Sequence, residues 1–104
     1  MTEWTVKLWE NQEEGKFHSY TTRTEGAVLA AAEALAYFAL LQDHSIITLT
    51  SHLESQLDHS GALDQKFTVG ELLHYVKENA AVLSGLRTSD RRVLEMLIEE
   101  LHAE

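Results

Sequence analysis

Residues 43–59 read DHSIITLTSHLESQLDH, and whether this stretch is helix or strand decides the architecture of the chain. Taken with a helical period, Ile46, Leu49, Leu53 and Leu57 fall at steps of three, four and four, one face of a helix, with Glu54, Ser55, Gln56 and Asp58 turned to water. Taken by propensity, Ile46, Ile47, Thr48, Leu49 and Thr50 favour a strand. The periodicity favours a helix over about 45–59, with Asp43-His44-Ser45 as its cap; a third strand at 46–51 is the alternative.

Upstream lies a helix from about Glu25 to Gln42, with Thr24 placed to cap it and Glu25 at its positive end. Ala27, Ala30, Ala31, Ala34, Phe38 and Leu41 form one stripe, and Val28, Leu29, Leu35, Ala36, Tyr37 and Leu40 cover most of the rest. Glu33 is the one charge inside and is expected at an exposed edge or paired with a cation such as Arg23. A helix apolar nearly all round must be covered on several sides, so it is the central helix of the fold or part of a homodimer contact through 25–42. The first 23 residues read as a hairpin. Trp4, Val6 and Leu8 alternate with Thr5, Lys7 and Trp9, and Phe17, Ser19 and Thr21 alternate with His18, Tyr20 and Thr22, around a polar connection ending at Gly15.

Downstream, His59-Ser60-Gly61 ends the ambiguous segment and residues 60–67 read as a loop. Thr68 and Glu71 make a capping box before a helix presenting Val69, Leu72, Leu73, Val76, Ala80 and Leu83, which Gly85 stops. Thr88 or Ser89 caps a last helix with the stripe Val93, Leu94, Leu97, Ile98 and Leu101. The expected fold is α+β: an N-terminal β-hairpin packed on a mainly helical bundle, β-β-α-α-α-α, in a single domain spanning 1–104.

Composition narrows the function. The chain has 104 residues, with 8 Lys plus Arg against 17 Asp plus Glu, a net charge of −9. Apolar residues at 44% and charged residues at 24% describe a folded protein rather than a disordered one. The absence of cysteine excludes disulfides, thiol catalysis and cysteine-held metals, and fits a reducing cytoplasm, the host cytoplasm if the protein is phage-encoded. The N-terminus carries no secretory pattern, and the Ala-rich stretch 26–42 is too short and too weakly apolar for a membrane span. Eight scattered cations do not support direct nucleic-acid binding or attachment to anionic membranes; opposite charge favours a protein partner with a basic surface.

Chemistry-bearing motifs are missing. There is no phosphate loop, nucleophile elbow or His-Glu-x-x-His. His52 and His59 stand seven apart, about 10 Å along a helix, too far to share a metal. No catalytic, cofactor or metal site is expected, and the chain reads as non-enzymatic. Its candidate partner-binding residues are acidic and aromatic. Glu95, Glu99 and Glu100 form a stripe opposite the apolar face of the last helix, and Glu10, Glu13 and Glu14 cluster at the hairpin tip beside an outward-facing Trp9. Arg87, Arg91 and Arg92 sit near the N-terminus of the last helix, where the helix dipole disfavours them.

In size and acidity the chain resembles small phage-encoded inhibitors of host defence, the anti-CRISPR and anti-restriction proteins. That resemblance implies a nucleic-acid mimic whose carboxylates occlude the basic surface of a nucleic-acid-handling complex. The order hairpin, Thr24-Glu25-Gly26-Ala27, Ala-rich helix is similar to the antitoxin half of HicAB systems, which implies a regulatory module; the C-terminal helices here lack the basic residues of a DNA-reading end. A homo-oligomeric adaptor is the third reading.

Overall fold

The computed structural model describes residues 2–9, 17–41, 47, 49–57 and 65–103. The order is β1 (Thr2–Trp9), β2 (Phe17–Thr24), α1 (Ala27–Leu41), β3 (His52–Leu57), β4 (Gln65–Thr68), α2 (Val69–Glu78), α3 (Ala80–Ser84) and α4 (Thr88–Ala103). The α+β class and the N-terminal hairpin are present. The strands form one antiparallel sheet in the order β2-β1-β3-β4.

The chief correction concerns the opening stretch. The helix expected over 45–59 is absent from the described residues: 49–50 form a turn and His52–Leu57 is strand β3. The alternative strand at 46–51 was right in kind and misplaced, since the strand begins at His52. The reason lies in the spacing of Leu53 and Leu57. Four residues return a side chain to the same face in a helix and in a strand alike, so that pair fits both periods. In β3, Leu53, Ser55 and Leu57 turn inward, opposite Leu8, Val6 and Trp4 of β1. Ser55 hides the alternation, being polar yet fully buried; its hydroxyl donates to the Ala27 carbonyl at 3.3 Å and anchors the start of α1 on the sheet. Strand β4 occupies part of the segment expected to be loop, with Phe67 opposite Leu53.

Helix α1 packs across β1, β2 and β3 and against α2 and α4. Ala30, Ala31, Ala32, Ala34 and Ala36 are fully buried, small enough to let the sheet and the other helices approach α1 closely, and Leu35 and Phe38 are buried with them. Its apolar circumference is therefore covered largely within one chain, although Leu40 is 54% exposed. The helix starts later than expected. Thr24 is the buried last residue of β2, opposite Thr2, and the Gly26 carbonyl accepts the first helical bond from Ala30. Glu33 is half-buried and does not pair with Arg23: it accepts a bond from the Thr22 hydroxyl at 3.0 Å, and Arg23 bonds Glu3 at 3.2 Å.

Thr68 caps α2, its hydroxyl accepting from the Glu71 N–H at 3.0 Å. The Ser51 and Leu49 carbonyls take the N–H groups of Val69 and Gly70, so the segment before β3 clips onto the helix start. The single helix expected beyond Thr68 breaks at Asn79, whose side chain bonds the Tyr75 carbonyl, leaving Ala80 exposed at the start of α3. Gly85 ends α3 as expected; a Cβ there would stand 3.4 Å from Leu29. Val93, Leu94 and Leu97 of α4 are buried in the same core as the sheet and α1.

Candidate functional site

Alternating burial along β1 sends Trp4, Val6 and Leu8 into the core beneath the helices. Glu3, Thr5, Lys7 and Trp9 go to the opposite face. Trp9 is half-buried, tilted against Phe17 with ring centroids 4.8 Å apart. The Lys7 ammonium lies 5.0 Å from the centre of the Phe17 ring. The register extends this face into rows. Phe17, Trp9, His52 and Thr68 form one, and Ser19, Lys7, Glu54 and Lys66 the next. Opposite charges thus alternate across the sheet, and Glu54 also accepts from Gln56 at 2.6 Å. Glu10, Glu13 and Glu14 lie outside the described residues.

The acidic stripe belongs to the other layer. Glu95, Glu99 and Glu100 are exposed on α4, whose buried face packs on α1 and α2. The sheet lies between Trp9 and α4, so Trp9 and the carboxylates of α4 belong to two surfaces and not one. On α4, Met96 is 46% exposed, with Glu99 and Glu100 one turn ahead of it and Glu95 adjacent. An accessible thioether rimmed by carboxylates is a suitable anchor for a protein contact.

Apart from Asp90 in its first turn, the charges of α4 run against its dipole. Arg91 and Arg92 occupy the first half, and no Lys or Arg follows Arg92 in the sequence, where Glu95, Glu99 and Glu100 stand. Glu95 has Arg91 four residues before it, but Glu99 has Glu95 at that spacing, a like-charge pair. This arrangement works against the isolated helix.

An aromatic cluster lies where α1 crosses β2. Tyr20 and Tyr37 are 4.6 Å apart, Tyr37 and Phe38 are 5.8 Å apart, and His18 is 6.2 Å from Phe38. Burial raises the Tyr20 phenol above its ordinary value of 10.0; the Glu33 carboxylate adds to the rise and the Thr22 bond opposes it. Among the described residues, no three of His, Asp and Glu gather to hold a metal, and no helix is long and apolar enough to cross a membrane.

Sequence reading missed Met96, Phe17 and the charged row on the sheet. Met96 carried a signal, an apolar residue outside the core stripe of α4. The pairing of Phe17 with Trp9, and of Glu54 with the lysines, depends on strand register, which no local pattern states. Compared with known protein families, with curated proteins and with solved structures, the chain matches none of them significantly.

Proposed function

We propose that this is a non-enzymatic binding protein whose α4 docks on a basic protein surface. The observation that carries this reading is the exposed face of α4, with Met96 at the centre of Glu95, Glu99 and Glu100, arranged at a cost to the helix itself. Acidity kept only for solubility has no need of carboxylates placed against the dipole. Glu95 and Glu99 stand one turn apart, about 6 Å along the axis, a line of negative charge suited to a groove that holds nucleic-acid phosphates. In its finer form, the proposal is an inhibitor that occludes the basic surface of a nucleic-acid-handling complex inside the cell, in the manner of anti-CRISPR or anti-restriction proteins. Net charge −9 supports this through faster encounter with a basic partner.

The test is a parallel capture from cell lysate with the wild-type chain and with Glu95→Lys, Glu99→Lys and Glu100→Lys combined, at low and high salt. The expected result is a basic nucleic-acid-binding complex held by the wild type at low salt, released at high salt and not retained by the folded variant. Identical retention by both chains would rule out α4 as the docking surface.

A further inference from the structure

The two edges of the sheet are built differently. Strand β4 has four residues, carries Lys66 and runs directly into α2, devices that blunt an edge. Strand β2 has eight residues and no proline, and pairs with β1 residue for residue over its whole length, without a bulge. Among the described residues, its other side is the end of the sheet. A long, regular edge is a template for another strand. Beside it, the inner row His18, Tyr20 and Thr22 is only half-buried. Glu33, Tyr37 and Leu40 follow one another at helical spacing along α1, Glu33 bonded to Thr22 and Tyr37 tilted against Tyr20.

We propose that a second copy of this chain pairs here, β2 antiparallel to β2 about a two-fold axis through Tyr20, joining two four-stranded sheets into one. A two-fold normal to the sheet keeps each face on its own side, so even-numbered residues oppose even and odd oppose odd. With the axis at Tyr20, Tyr20 meets Tyr20, Thr22 meets His18, Thr21 meets Ser19 and Arg23 meets Phe17. Glu33, held on Thr22, then comes beside the second copy's imidazole, and symmetry supplies the contact twice. The Arg23 guanidinium comes over a Phe17 ring that Lys7 approaches from within its own chain. No two charged residues stand directly opposite one another across this seam, although Arg23 of one copy and Lys7 of the other approach the same Phe17 ring. An axis at Thr21 would set Arg23 against Ser19 and Thr22 against Tyr20, losing both contacts. The Tyr20 and Tyr37 rings of both copies fill the space between the two α1 helices, with Leu40 beside them.

This pairing is independent of the α4 surface and responds oppositely to salt. Each copy carries a charge of −9, so screening strengthens self-association while weakening attachment to a basic partner. Sedimentation of the wild-type chain across the micromolar range is expected to show a reversible dimer that tightens as salt rises. Leu40→Glu, at an exposed position, is expected to weaken it about tenfold or more with unchanged circular dichroism, and Glu99→Lys to leave it intact.

The chain has no cysteine, so Tyr20→Cys supplies a single thiol placed on the axis. Opposed residues in an antiparallel pair lie about 4.5–5.5 Å apart at Cα, within disulfide reach, whereas the two copies of Thr21→Cys lie diagonally, about 7–8 Å apart. Tyr20→Cys is expected to oxidise to a linked dimer and Thr21→Cys to remain free. A wild-type chain monomeric at every salt concentration would overturn the proposal. So would cross-linking of Thr21→Cys in place of Tyr20→Cys, or a dimer indifferent to Leu40→Glu.

Discussion

Replacing Glu99 by Lys should make the free protein more stable and the bound complex weaker. Glu99 is exposed on α4 with Glu95 four residues before it, and no Lys or Arg stands one turn to either side. A like-charge pair at this spacing costs about 0.2–0.5 kcal/mol, and a Glu followed four residues later by Lys gains about the same, so the exchange is worth about 0.4–1 kcal/mol. A cation in the C-terminal part of the helix adds a few tenths more through the dipole. At roughly 4–8 °C per kcal/mol for a domain of this size, the melting temperature should rise by about 3–10 °C. Thermal unfolding followed by circular dichroism at low salt measures the rise, and repeating it near 1 M salt should remove most of it, because screening there acts within about 3 Å. The same variant in the capture experiment should lose the basic partner. A Glu99→Lys chain no more stable than wild type at low salt would refute the reasoning: the carboxylate would then be balanced within the fold, and its position would say nothing about a partner.

Other consequences are testable on the isolated chain. Among the described residues the buried Trp4 indole N–H has no hydrogen-bond partner, so Trp4→Phe, which removes the stranded donor and keeps an aromatic ring, should lower stability by less than about 1 kcal/mol, against about 3–5 for Trp4→Ala, in urea titrations. Thr68→Ala removes the acceptor for the Glu71 N–H and should cost about 1 kcal/mol by the same assay; Thr68→Ser should restore most of it. The fold favours the neutral Tyr20 phenol, so that contribution is complete below its ordinary value of 10.0 and is lost as pH rises through the higher folded value. Unfolding free energy should therefore fall more steeply above about pH 10 in wild type than in Tyr20→Phe.

Much of the architecture follows from local patterns. Trp4, Val6 and Leu8 declare β1 because strict alternation has one structural meaning when a polar residue stands at every second position. The Ala-rich stripe declares α1, and Thr68 with Glu71 declares the start of α2, since a cap is chemistry between neighbours in sequence. The outward position of Trp9 and the exposure of Glu95, Glu99 and Glu100 follow from the same periodicities.

What the sequence by itself determined is thus which residues face inward and which outward along each element whose period is unambiguous, because the backbone geometry of helix and strand sets that locally. Only the tertiary structure decided the state of His52–Leu57. Leu53 and Leu57 suit either period, and the choice falls to strand because β1 has a second side to pair and the small Ser55 lets the start of α1 sit on the sheet. Neighbourhoods across strands were also decided there: Trp9 against Phe17, Glu54 between Lys7 and Lys66, Trp9 and α4 on opposite sides of the sheet, β2 at its edge. These depend on register and strand order, which are set by how separate segments bury their apolar faces together and not by any one segment's own residues.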